Sequence, residues 1–379
     1  MRSIRLGSLL GIPLHINPGW FLICGLTIWV LAARVFPTIL PRESMTTHIA
    51  MALVSAFIFF ASIVLHELAH SVVAKRYGIP VRSITLFIFG GVAHITREAA
   101  RPLSEMLMAA SGPLLSIVLG AGFLGVWFLA GSGTTDPVSI TIFWVAIMNL
   151  ALGIFNFLPA FPMDGGRVFR SIIWLITGNY ARATSVAGWT GRGFGWSMIG
   201  LGGLAIAGFD VFLAAEPIGG IWLYPLIGLF LDTGARRSLV QLRYVRELQR
   251  FRARDLMLAD PPVAEADRPL GPLARGVLEI NPRVCYFVED RGALAGILSA
   301  FELRDVPESL WDTTTAREAM VPSSDLRPVD PELLASDVLV EMENEGLLHA
   351  PVVEQGRVIG IIARERILGV LRQAGLLPA

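Results

Sequence analysis

The sequence predicts a polytopic α-helical membrane protein of about six transmembrane helices with a short membrane-embedded β-hairpin, followed by a soluble α/β module. Three observations lead there. Hydrophobic residues make up 54% of the 379 residues and charged residues only 16%, with a mean hydropathy of +0.61. The charge is uneven, because 22 of the 31 acidic residues follow residue 240, so an apolar part precedes a polar one. Beyond that point the sequence repeats itself. The formal net charge is zero, which gives no basic excess to suggest a nucleic-acid partner. The two cysteines, Cys24 and Cys285, fall in different parts and form neither a disulfide framework nor a CxxC metal knuckle.

Taken in order, residues 1–18 carry Pro13 and Pro18 and alternate loosely, which predicts short strands or a loop at the membrane surface. The first span, Gly19–Phe36, has about the 20 apolar residues that a bilayer crossing needs. No small-residue cleavage site marks it as a removable signal. The second span, His48–Tyr77, ends in Lys75-Arg76. Between residues 78 and 103 the chain cannot cross again, and Ile84–Thr96 reads as two short strands around a Gly90-Gly91 turn. The third span is Leu103–Ala130 and the fourth Ile140–Phe157, broken by Pro159, Pro162 and Gly165-Gly166. Gly193–Phe209 and Ile218–Leu231 complete the six, and Val168–Thr177 reads as a further short helix inside the protein.

Lys and Arg placement sets the orientation. Arg2 and Arg5 precede the first span, and Lys75, Arg76, Arg82, Arg97 and Arg101 follow the second. Further Arg clusters follow the fourth and sixth, whereas the loops after the third and fifth carry none. Both termini are therefore expected in the cytoplasm, with the C-terminal end of the second span near that face. Only Arg34 and Arg42 run against the pattern.

After a charged helical linker over 239–254, Ala253-Arg254-Asp255-Leu256-Met257 is echoed by Ala316-Arg317-Glu318-Ala319-Met320, an offset of 63. Each unit reads as a short helix, a variable stretch, a helix, two strands around a polar turn, and a helix. The expected organisation is a membrane domain over 1–238, the linker, a first motif over 255–312 and a second over 313–379.

The chemistry centres on His66-Glu67-Leu68-Ala69-His70, an HExxH sequence inside the second span. Residues four apart share a helix face, so both imidazoles can reach one metal ion, and Glu67 can act on a water that the metal activates. The plainer reading is a polar helix–helix contact. Ionisable groups in hydrocarbon are costly to keep, which favours function. Catalytic zinc commonly takes three protein ligands. The candidate third is Asp164, after the proline break; its alternative role is a cap for the helix that starts at Gly165.

HELAH in the second span, Phe87-Ile88-Phe89-Gly90-Gly91 after it, and the run Asn156 to Arg167 with Pro159, Pro162, Asp164, Gly165 and Gly166 resemble the site-2 protease family of intramembrane zinc metalloproteases. The C-terminal repeat resembles a pair of CBS domains and matches the subgroup that carries a cytosolic pair.

The resemblance implies that His66, His70 and Asp164 hold one zinc ion. Glu67 would be general base and then acid, with Asn156 hydrogen-bonding the tetrahedral intermediate. It implies regulated cleavage of membrane-tethered proteins, such as an anti-sigma factor or a membrane-bound transcription factor, in a prokaryotic inner membrane. The hairpin residues Phe89, Gly90 and Gly91 would bind an unwound substrate by strand addition, the alternative being a structural re-entrant turn. Ala110-Ser111-Gly112-Pro113 is expected only to pack helices closely. For the CBS pair the resemblance implies an adenine nucleotide, with Ser299 and Glu302 a partial match to the ribose contacts and Ala363 and Arg366 a mismatch. A homodimer through the CBS domains is the companion expectation. The competing classes are a CBS-regulated ion channel or transporter, and an inactive protease relative.

Overall fold

Proline and short polar residues start the helices, and the apolar runs between them become long spans. The structure, a computed structural model, describes residues 3–88, 90–95, 99–130, 136–209, 223–275, 285–355 and 357–377. The chain divides into two units, Met1–Leu239 and Val240–Ala379.

In the first unit, β1 (Ile4–Leu9) and β2 (Ile12–Ile16) pair antiparallel before α1 (Gly19–Val30). That helix continues through a π turn, Leu31–Val35, into α2 (Phe36–Ile39). The longest helix, α3 (Met45–Arg76), is capped by Ser44, whose side chain accepts from the Thr47 N–H. Next come β3 (Val81–Phe87) and β4 (Gly90–Ile95), then α4 (Pro102–Leu129) and α5 (Pro137–Asn156). Both helices begin at proline, where the missing N–H costs nothing. Among the described residues four helical stretches are long and apolar enough to cross a membrane: Gly19–Ile39, Met45–Arg76, Pro102–Leu129 and Pro137–Asn156.

The strands form one sheet in the order β1-β2-β3-β4, with β2 and β3 parallel and β3 and β4 antiparallel. Ile16 of β2 and Leu86 of β3 pack on Ala56, Phe60 and Ile63 of α3, which holds the sheet against the helix carrying the histidines. Here the sequence expectation needs correcting. Gly90 and Gly91 are not the turn but the first two residues of β4, paired with Phe87 and Leu86. Gly90 has φ +126°, a conformation that favours glycine, so the chain enters the strand through it.

Three more helices follow: α6 (Asp164–Thr177), α7 (Tyr180–Ile206) and α8 (Leu223–Leu248). The short inner helix starts at Asp164, four residues before the expected Val168. From Leu223 the sixth apolar run and most of the linker are one helix, because nothing between Leu231 and Leu248 stops it, while the start of that run, 218–222, lies outside the described residues. Gly195 brings α7 against α8, where its Cα lies so near the Gly228 carbonyl that a Cβ would stand 2.7 Å from it. Beside that crossing, buried Asp232 accepts from Arg192 Nε at 2.9 Å.

The second unit holds two sheets, ordered β10-β11-β5 and β6-β7-β8-β9. Their strands are β5 (Leu258–Ala259), β6 (Val263–Glu265), β7 (Cys285–Asp290), β8 (Ala293–Ser299), β9 (Val321–Pro322), β10 (His349–Glu354) and β11 (Arg357–Ala363). The repeat has a spatial consequence: β5 pairs with β11 and β9 with β8, so each repeat lends its short strand to the other's hairpin. The packed cores therefore do not follow a linear cut at 312. Leu248, Ala253 and Leu256 belong to the core of the second repeat, and Ala316 to that of the first. Cys285, Phe287, Ile297, Leu326 and Ile361 join the two.

Candidate metal centre

His66 and His70 occupy successive turns of the buried side of α3, their rings 4.9 Å apart between centroids. Their Nε2 atoms lie 3.2 Å apart, and Asp164 Oδ2 is 3.3 Å from the first and 3.2 Å from the second. Among the described residues this is the group of three His, Cys, Asp or Glu whose ligand atoms come together. The triangle fits zinc. Zinc–ligand bonds of about 2.0–2.1 Å set tetrahedrally put donor atoms about 3.3 Å apart.

The rings are oriented from behind. His66 Nδ1 is 2.9 Å from Ser116 Oγ, and His70 Nδ1 is 2.7 Å from the Met108 carbonyl. A carbonyl only accepts, so Nδ1 of His70 carries the proton and its Nε2 lone pair faces the shared point. Gly112 of α4 keeps that point open, since a Cβ there would stand 2.7 Å from His66 Nε2. Asp164 is the first residue of α6. Gly166 lets that helix press on the preceding turn, where a Cβ would come 2.6 Å from the Phe161 nitrogen. Asp164 is thus both a first-turn acid of α6 and the third member of the cluster.

Glu67 lies beside the triad with its Oε2 accepting from the Ala93 N–H of β4 at 3.1 Å. Gly91 lies flat on it, for a Cβ would stand 3.1 Å from Glu67 Oε1. Gly91 is therefore at the site, Gly90 precedes it in β4 with nothing within 4 Å of where its Cβ would stand, and Phe89 lies outside the described residues. Asn156 ends α5, and its amide Nδ2 donates back to the Leu152 carbonyl at 2.9 Å rather than to the cluster. Asn149 is fully buried and donates to the Val145 carbonyl.

In the second unit Ser299 and Glu302 bond each other. Glu302 Oε2 accepts from the Ser299 N–H at 2.8 Å and from its hydroxyl, and Ser299 Oγ accepts from the Phe301 N–H at 3.2 Å. This is a capping box for the helix Ala300–Leu303, and it explains the S-x-x-E spacing by local structure.

Sequence reading missed four participants: the Met108 carbonyl, Ser116, Gly112 as more than packing, and Glu105. The last is a lone acid at the head of an apolar run, and that was its signal. It is buried and pairs with Arg170 of α6, whose Nη1 donates to Tyr180 Oη at 2.7 Å.

The chain is similar to known proteins. The model of Peptidase family M50 matches residues 54–141 and 130–199, and that of the CBS domain matches 316–373. One relative, sll0528 of Synechocystis, is 34% identical over 377 residues, covering 98% of this chain and 96% of its own. Rip3 of Mycobacterium tuberculosis is 31% identical over 378 residues, covering 98% and 94%. Both are named among the zinc metalloproteases. The solved site-2 protease of Methanocaldococcus jannaschii is 28% identical, with a TM-score of 0.43 over 63% of this chain and 95% of that one.

Proposed function

The chain belongs to peptidase family M50, the site-2 protease zinc metalloproteases, with a CBS domain toward its C-terminus, and from that premise we propose that it cuts membrane-spanning regulatory proteins near the cytoplasmic face. Family membership displaces the channel or transporter alternative. The observation that carries the reading is the triangle of His66, His70 and Asp164 with Glu67 beside it on a sheet edge. We count α7 and α8 as the fifth and sixth spans of a multi-pass protein in the cell's inner (plasma) membrane, with both termini in the cytoplasm. We retain the domain division at 1–238, 239–254, 255–312 and 313–379 as a description of sequence, with the CBS pair regulatory and dimer-forming.

His66, His70 and Asp164 would hold zinc, which when bound supplies an acidified water and an electrophile for the scissile carbonyl. Glu67 takes the proton from the attacking water and returns it to the leaving amine. Its bond to Ala93 aims the carboxylate along β4. Since the Ala93 N–H turns away from β3, alternation along the strand turns Gly91 the same way. The outer edge of β4 thus offers main-chain groups to an unwound substrate right beside Glu67. Asn156 serves the oxyanion only once its amide leaves the Leu152 carbonyl. An adenine nucleotide at Ser299 and Glu302 likewise has to displace their mutual bond, and calorimetric titration with ATP tests it.

The test compares zinc content and cleavage of a model transmembrane substrate for the wild type and Glu67→Gln. Wild type should hold about one zinc and cut, while the variant holds zinc and does not cut. A wild type that takes up no zinc overturns the assignment.

A further inference from the structure

Helix α4 gives no ligand to the triad, yet one buried stripe of it touches each element that does. Glu105, Met108, Gly112 and Ser116 are spaced by three, four and four residues, which sets them on one side of the helix. All four are buried. Ser116 meets His66, Met108 meets His70, and Gly112 leaves the space between them. The remaining member, Glu105, faces the helix of the remaining ligand. It pairs with Arg170 and lies 3.8 Å from Arg167 Nε, both on α6, which begins at Asp164.

We propose that Glu105 is a positioning residue for Asp164. Through Arg170 it fixes the rotation and height of α6 against α4, and so brings the Asp164 carboxylate to the two histidines. The hydrogen bonds of the Asp164 carboxylate among the described residues run to His66 and His70 alone, so its place is set by its helix rather than by a local partner. The Arg170 guanidinium, in turn, is held from several directions. It donates to Tyr180 Oη, and its Cζ stands 4.8 Å from the Tyr180 ring centroid and 5.3 Å from that of Phe161. A planar fork gripped in this way defines direction as well as distance, which a lysine or an apolar side chain does not. Removing one partner strands a buried charge, and rotation of α6 is the available relief. The same stripe thereby orients all three ligands from one helix.

The proposal rests on the zinc reading, and the experiment separates the two. Full-length protein in detergent is stripped of metal and titrated with Co2+ alone, following the visible absorption of the tetrahedral ion. His66→Ala tests the site itself: if it binds as wild type does, or if wild type binds no Co2+, the zinc reading fails and takes the proposal with it. Given a site, Glu105→Gln should bind Co2+ about 10–100-fold more weakly, with an altered spectrum, and Arg170→Lys should not restore it. Wild-type affinity and spectrum in Glu105→Gln overturn the proposal. If that variant does not fold, the paired change Glu105→Leu with Arg170→Met, which removes both charges at similar volume, is read in its place. Weakened, spectrally altered binding there upholds the positioning role, and wild-type binding refutes it.

Discussion

The backbone N–H of Ala93 donates to Glu67 Oε2, joining a strand edge to the residue between the two histidines. A helix alone leaves a glutamate side chain three rotatable bonds. This contact restricts that freedom and sets the carboxylate against β4, the terminal strand of its sheet. Under the proposed function, one hydrogen bond thereby ties the base to the strand proposed to receive substrate.

Gly91→Ala should separate the two. The added Cβ meets Glu67 Cδ at 3.0 Å and Oε1 at 3.1 Å, so the carboxylate has to move. A displacement near 1 Å costs about 10²-fold in rate. Steady-state cleavage should fall by about that factor while zinc content stays at the wild-type level, since none of the three ligands moves.

Ser116→Ala should act on the metal instead. The His66 ring turns Nε2 to the cluster, which leaves Nδ1–H to donate to Ser116 Oγ. Alanine leaves that donor unpaired in a buried site, and zinc affinity measured by chelator competition should drop about 10–100-fold. Thermal unfolding of the metal-free protein should shift down only by the cost of one unpaired buried group, about 1–3 kcal/mol.

Gly112→Ala should close the centre outright. Its Cβ would stand 2.7 Å from both His66 Nε2 and His70 Cε1, in the space the shared ligand atoms face. The expected outcome is a folded helix with no stoichiometric zinc, read by elemental analysis. Alanine is the better helix former, so a loss here cannot be ascribed to helix propensity.

Cys285 offers a pH-dependent check on the second unit. Burial, reinforced by the nearby Glu302 carboxylate, pushes its thiol from an ordinary 9.0 up to about 12. The folded state therefore keeps its proton where the unfolded chain releases it. The resulting stability is complete below pH 9 and is lost as pH rises toward 12. Denaturant midpoints should fall over that window for wild type and fall less for Cys285→Ala. Iodoacetamide at neutral pH should label the cysteine only after unfolding.

Much of this was legible beforehand. The i, i+4 histidines face one way because helical periodicity alone puts them there, whatever the helix packs against. Asp164 follows a proline break, and a chain that can no longer run on as a helix has to turn, which returns an acid to the same region. The repeat offset of 63 is likewise a property of the string, and the reciprocal strand exchange follows it.

Other features had no mark in the sequence. The partner of His70 is a backbone carbonyl, a group every residue possesses, so no residue type announces it. Gly112 reads as helix packing until α3 is laid beside it, and Gly91 as a turn until β4 is paired with β3. Ser299 and Glu302 match a ligand motif and a helix cap equally well, and the packed chain has them bonded to each other. What the sequence by itself determined is the candidate cluster, the i, i+4 histidines with the glutamate between them and the acid after the proline break, because periodicity and chain breaks are local. What only the tertiary structure decided is how those groups are aimed, because aim depends on which faces of α3, α4, α6 and β4 press together, and that is settled by long-range packing.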